Sequence, residues 1–286
     1  MKKYQFNKET GDFEIDPKHL VSGLTEAAKK KHTAIRITAL DYRDEDLAFD
    51  ATELSRQKWI KNLTLDDDLE APAVFESLQR LTDLEELTTN EWGTLDYSKF
   101  KKLRALTLTK GTALAGLEKL RSLKSLYLIA WKAKSLPAEL SRISAKELRI
   151  SASGQLVDVS VVFEMKKLSE LTLQDLPKLK VGREALHLDS LRILNIEATP
   201  AWTDFRQLHS SSLQELELFT KVQSLGFIVR QLPVLRKLYV WEVIDGKMTP
   251  VTEHPSLREI HFDKNRKHNS HKEKDLQTIL AQKETV

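Results

Sequence analysis

The chain predicts an α/β protein in which about eleven short parallel strands stack one after another, with irregular or short helical segments returning between them. Three observations carry that prediction. A pattern of the form Leu-x-x-Leu-x-Leu recurs down most of the sequence. Its copies keep phase: the last apolar position falls at 37, 65, 89, 108, 128, 150, 173, 196, 218, 240 and 262, and from 128 onward the step is 22 or 23 residues. The final apolar pair of each copy is separated by one residue, which is the period of a strand rather than of a helix.

The elements follow in chain order. Residues 1–32 read as an N-terminal cap. Tyr4-Gln5-Phe6, a turn over Asn7 to Asp12, and Phe13-Glu14-Ile15 spell a hairpin. Asp16-Pro17 then supplies a helix cap and a first-turn proline. Leu20, Leu24 and Ala28 are expected on one helical face, and Lys29-Lys30-Lys31 suit the helix C-terminus. Residues 33–263 hold the repeats. Ile35-x-Ile37 opens them, with weaker copies at Ile60-x-x-Leu63-x-Leu65, Leu84-x-x-Leu87-x-Thr89 and Ala145-x-x-Leu148-x-Ile150. The clear copies start at Leu103, Leu123, Leu168, Leu191, Leu213, Leu235 and Leu257. The two longest steps leave room for helices near Thr52 to Lys58 and Pro72 to Arg80, the second carrying Val74, Phe75 and Leu78. Residues 264–286 read as a C-terminal cap helix, with Ser270-x-x-Glu273 as a capping box before Leu276, Ile279 and Leu280. No linker interrupts the series, so residues 1–286 are expected to form one domain.

Over about Thr33 to Asp263 these residues resemble the leucine-rich-repeat superfamily. The resemblance implies a solenoid with a curved parallel sheet on its concave side. The fourth and sixth repeat positions would point into the core, and the third, fifth and seventh would line the open face. One copy cannot bury its leucines alone, but stacked copies can, each buried leucine contributing roughly 1.5–3 kcal/mol. One departure stands out. The family places Asn or Cys three residues after the last strand leucine, where Gly111, Trp131, Leu176, Thr199, Lys221 and Val243 stand here. The expectation is that no polar ladder forms and that apolar packing holds the convex side.

Composition narrows the class. Apolar residues make up 41% of the 286 and charged ones 30%, enough for a core and a charged surface. There are no cysteines, which removes disulfides, thiolate metal sites and cysteine nucleophiles and suits a reducing, cytoplasmic setting. It also removes the ubiquitin-ligase chemistry that some bacterial leucine-rich-repeat proteins carry, since that chemistry needs a cysteine. The apolar runs fall far short of the roughly 20 residues a membrane span needs, and the basic N-terminus is not followed by an apolar stretch of the secretory kind. No phosphate loop, dinucleotide fingerprint or His-Glu-x-x-His is present. Ser55-x-x-Lys58 and Ser98-x-x-Lys101 match a serine–lysine spacing by chance. His268-x-x-His271 lies in a basic run without a third ligand. No catalytic residue, metal or cofactor is expected.

The open face is where a partner is expected. Its acidic members are Asp66, Glu86, Glu147, Glu170, Glu197, Glu215, Glu217, Glu259 and Asp263, against Arg36, Arg149 and Lys237. Such a face repels a phosphate backbone and attracts a basic protein. Phe219 and Trp241 share one repeat position, Tyr239 precedes Trp241 on the same strand face, and His261 lies beside Tyr239. With Glu197, Glu215, Glu217 and Asp263 they make the expected site, since Trp and Tyr are typical interface anchors; mutual cover within the sheet is the alternative reading. Tyr127 marks a second, smaller spot. The expected function is therefore a non-catalytic protein-interaction module for a basic protein. Resemblance to bacterial immunity proteins that neutralise a toxin suggests the narrower role. Two alternatives stay open. The second repeat position carries Lys61, Arg104, Lys124, Lys146, Arg192, Arg236 and Arg258, a basic rim that Lys264 to Lys274 could extend toward a polyanion. An adaptor could instead use the convex loops.

Overall fold

The computed structural model describes residues 3–40, 49–66, 69, 75–90, 95–181, 186–264 and 266–283. The chain divides into two compact units, Met1–Ile129 with Arg142–Ala145, and Ala130–Ser141 with Lys146–Val286. Among the described residues, thirteen strands of mostly parallel sheet are present, seven in the first unit and six in the second. Eleven of them coincide with the repeats read from the sequence, and the other two form the cap hairpin.

The first unit holds β1 (Tyr4–Phe6), β2 (Phe13–Ile15), β3 (Ala34–Ile37), β4 (Asn62–Leu65), β5 (Glu86–Asn90), β6 (Ala105–Thr109) and β7 (Ser125–Ile129). The hairpin is more than a lid, because β2 pairs in parallel with β3 and so starts the stack. Register follows the leucines: Ile35 lies opposite Leu63, then Leu87, Leu106 and Leu126, each at most 1% exposed. Before α1 (Leu20–Lys29), Asp16 accepts the Lys18 N–H at 3.1 Å. The buried face of α1 is Leu20, Gly23, Leu24 and Ala27; Ala28 is exposed, one residue off the expected face. Contact with β2 sets that face. A Cβ on Gly23 would stand 2.4 Å from the Ile15 side chain, so only glycine lets helix and strand approach this closely. The first expected return helix is α2 (Ala51–Ser55), capped by Asp50 on the Thr52 N–H at 2.8 Å. The second is a 3₁₀ turn over Phe75–Arg80; Pro72 and Val74 lie outside the described residues.

The second unit holds β8 (Glu147–Ser151), β9 (Glu170–Gln174), β10 (Leu186–His187), β11 (Ile193–Glu197), β12 (Leu208–His209), β13 (Glu215–Val222), β14 (Lys237–Val243) and β15 (Glu259–Phe262). Among the described residues, β10 and β12 pair only with each other. In the other six, Leu148, Leu171, Leu194, Leu216, Leu238 and Ile260 form one buried row. The returns include α3 (Ile228–Gln231) and α4 (Thr249–Glu253), and α5 (Glu273–Gln282) follows β15 with Leu276 and Leu280 buried. The cap of α5 differs from expectation. The Lys272 N–H donates to Asp275 at 3.3 Å, while Ser270 accepts the Met248 N–H and Glu273 the Phe262 N–H. Both expected box residues serve neighbouring turns instead.

The expectation of no polar ladder is also corrected. Three residues past Ile150, at the family's ladder position, Ser153 is fully buried and accepts the Trp131 N–H at 2.9 Å. A longer series stands one residue before the first apolar position of a copy. Ser122, Ser144, Ser190, Ser212 and Ser256 each donate to a carbonyl of the preceding copy, those of Leu103, Leu120, Met165, Leu191 and Pro233, at 2.8–3.3 Å. These hydroxyls satisfy carbonyls that the irregular returns leave without a ladder partner. Strand exits also repeat. Lys110, Ala130, Ala152, Asp175 and Ala198 adopt left-handed backbone with φ between 48° and 58°. There the Ala152 N–H, for example, reaches the Gln174 carbonyl at the end of the next strand at 3.1 Å.

Candidate protein-binding face

The site is built by alternation. On β11, β13, β14 and β15 the residues between the buried rows point to the open face, and register puts Asn195, Glu217, Tyr239 and His261 side by side. Glu197, Glu215, Glu217, Phe219, Tyr239, Trp241 and His261 are all half-buried there, and Asp263 is exposed. The second unit thus brings together eight of the nine residues read from the sequence. Tyr127 is half-buried on β7 of the first unit, opposite Thr107.

One pairing differs. Leu218 lies opposite Val240 but Lys221 lies opposite Glu242, so Phe219 and Thr220 together face Trp241. This bulge moves Phe219 out of step with Trp241. Its ring stacks on Tyr239 instead, with centroids 4.1 Å apart and planes at 31°. The Lys264 ammonium covers Trp241, 5.3 Å from the ring centroid, a cation–π contact.

Polar partners fix the border. Burial first, then the Asp263 carboxylate and the nearby Glu217 and Glu273 charges, push the Tyr239 phenol up to about 12. Tyr239 therefore stays a neutral donor. Glu217 accepts from Asn195 at 3.0 Å and faces Lys237 at 3.8 Å. Glu197 accepts from Gln174 at 2.9 Å, and Gln174 in turn takes a hydrogen bond from Arg149. The His261 ring stands between Glu259 (2.8 Å) and Glu273 (3.3 Å).

Two participants were not anticipated. Glu273, at the start of α5, adds a carboxylate to the end of the face. Glu242 pairs through both oxygens with Arg266 at 2.9 and 3.2 Å, and that hydrogen bond, opposed in part by desolvation, holds its carboxyl below the usual range. No spacing signal links residues so far apart in sequence. The same contacts correct the place of the C-terminal basic run. Lys264 and Arg266 bind the far ends of β14, at Trp241 and Glu242, not the strand starts where the basic rim lies.

Charge is divided unevenly between the units. In the second, the open face carries Glu147, Glu170, Glu197, Glu215, Glu217, Glu259 and Asp263 against Arg149 and Lys237. In the first it carries Asp66 and Glu86 against Arg36, and Asp66 is already bridged by Arg36 at 2.8 and 3.1 Å. Among the described residues, no helix is long and apolar enough to cross a membrane.

No protein-family model matches the chain. Among solved structures it is similar to an internalin, inlF, of Listeria monocytogenes, at 16% identity over 89% of this chain and 82% of that one, with TM-score 0.45. A leucine-rich-repeat protein of Leptospira interrogans is 17% identical over 88% of this chain and 71% of its own, with TM-score 0.41. TLR13, solved as a complex with ssRNA13, is 16% identical over 72% of this chain, with TM-score 0.53; the chain spans 36% of its length. Identity this low speaks to fold alone, and the TLR13 likeness together with the strand register carries that point: this chain has the leucine-rich-repeat fold.

Proposed function

We propose that the chain is a non-catalytic interaction module that binds a basic protein on the open face of its second unit. The supporting observation is the half-buried group of Phe219, Tyr239 and Trp241 set among carboxylates that outnumber the cations of the same face. Aromatic side chains that could enter no core stand at a sheet surface, where interface anchors belong. The surrounding acids would draw a cationic partner in and speed its association at low salt. Trp241 already accepts an ammonium on its ring, and a partner's Lys or Arg is suited to the same place. The narrower role follows from that charge: a toxin acting on nucleic acid has a basic surface, and a chain that neutralises it, within the cytoplasm and as one domain over residues 1–286, would carry a face of this kind.

The test is an affinity pull-down with mass spectrometry, comparing wild type with Glu215→Lys/Glu217→Lys. The proposal expects a basic protein retained by wild type and lost from the variant. Equal retention by both would remove the face from the interaction.

A further inference from the structure

A different surface, on the first unit, is as strongly charged and of the opposite sign. Its strands β4 to β7 are approached through the segments 56–61, 80–85, 99–104 and 119–124. Together these hold eleven lysines and arginines, with Asp83 and Glu85 as the only acids. Hydrogen bonds stack the segments in line: Glu85 N–H to Lys61 O, Arg104 N–H to Glu85 O, and Lys124 N–H to Arg104 O, each 2.7 Å. Ser122 ties the last segment to the carbonyls of Lys101 and Leu103. Ile60, Leu84, Leu103 and Leu123 point into the core, so ten of the eleven cations are exposed on one edge, Lys61 being half-buried.

The two acids are already engaged, Asp83 by Lys102 at 2.6 Å and Glu85 by Arg104 at 3.5 Å. Lys102 foremost, with Lys61 and Lys58 behind it, holds the Asp83 carboxyl below its ordinary range, so several cations converge there. Lys101, Arg121 and Lys124 have no ion pair among the described residues. The matching segments before β9, β11, β13, β14 and β15, 164–169, 187–192, 209–214, 231–236 and 253–258, hold five basic against three acidic residues. The concentration of cations therefore belongs to the first unit and not to the repeat as such.

The edge lacks what a protein interface needs at its centre. Apolar side chains of the four segments are turned inward, and Trp59, half-buried between Lys58 and Lys61, is the one aromatic left at the surface. A phosphate backbone asks for less: cations at regular intervals, here one strand spacing of about 4.8 Å, and an occasional π face for a base. We propose that this strand-start edge of the first unit binds the phosphodiester backbone of single-stranded nucleic acid without regard to sequence.

Fluorescence anisotropy of a labelled oligothymidylate against the full chain, over a series of salt concentrations, tests it. Wild type should bind with an affinity that falls steeply with salt. Lys101→Glu/Arg121→Glu/Lys124→Glu should bind at least tenfold more weakly, with a log–log salt slope shallower by about 2, since each lost phosphate contact removes about 0.7. These side chains are exposed, and an unchanged melting temperature would confirm that the variant folds. Trp241→Ala should bind like wild type, which separates this edge from the acidic face. Absent or salt-insensitive binding would overturn the proposal, as would a variant that binds like wild type. Polyglutamate displacing the oligonucleotide at equal charge would also overturn it, and would point to an acidic protein.

Discussion

On the open face of the first unit, the inner strand positions hold Thr64, Thr88, Thr107 and Tyr127, beside the closed pair Arg36–Asp66. On the second unit the inner positions hold Arg149, Thr172, Asn195, Glu217, Tyr239 and His261, and its open face as a whole carries seven carboxylates and the rings of Phe219, Tyr239 and Trp241, against Asp66 and Glu86 as the acids of the first. The fourth-position rows are interchangeable, leucine or isoleucine in both units. Their sameness reflects a shared task, since every copy must close the gap to the next. The intervening positions carry no such duty, so their chemistry can diverge without touching the fold. Function in this chain is therefore to be sought where the units differ.

The comparison makes its largest prediction where the units should not differ. Leu106→Asp in the first and Leu216→Asp in the second each place a carboxylate in a fully buried row. Both should cost more than about 4 kcal/mol, seen as loss of the cooperative transition in circular dichroism melts. Wild-type melting in either variant would show that its leucine row is not core. Next in size is a contrast. Trp241→Ala should weaken partner binding by about 2 kcal/mol, roughly thirtyfold, whereas Tyr127→Ala should change it by less than about threefold. Calorimetry with the captured partner would measure both. Equal losses would erase the functional distinction between the units.

A third prediction concerns a buried group peculiar to the second unit. His254 Nδ1 accepts the N–H groups of Ser256 and Leu257, so Nε2 carries the proton and donates to the Leu232 carbonyl at 2.9 Å. Burial, chiefly, lowers its pKa. The unfolded chain takes up a proton near pH 6.5 that the folded chain refuses. The histidine's contribution is thus whole above about pH 6.5 and declines as pH falls toward the folded value. The stability gap between wild type and His254→Asn should narrow from about pH 7 to about pH 5; a gap that widens would contradict the assigned tautomer. The smallest effect is expected at a strand exit. Ala152→Gly relieves a left-handed alanine and should stabilise by up to about 1 kcal/mol, read as a modest rise in melting temperature.

Much of this fold could be read in advance because leucine spacing is a direct consequence of strand alternation and stacking. The hairpin, the cap at Asp16 and the buried Leu276 and Leu280 of α5 were legible for similar local reasons. What escaped depends on tertiary contact. Ala27 rather than Ala28 is buried because α1 is docked on Ile15, which no helical wheel contains. The bulge at Phe219 and Thr220 is marked by neither glycine nor proline. Glu273 and the Glu242–Arg266 pair join residues with no shared spacing. The serine series was visible, one residue before the first apolar position of a copy, but lies at the opposite end of the strand from the family's usual ladder position. Of the candidate face, its membership was legible from register, and its ring pairing was not.

Hydrogen exchange with mass spectrometry on the chain, free and saturated with its captured partner, tests most directly whether the second unit's face does the binding. Slowed exchange should appear across Glu215–Val222 and Lys237–Val243, with Ala105–Thr109 unchanged. Protection confined to the first unit, or to the returning segments of either unit, would contradict that assignment.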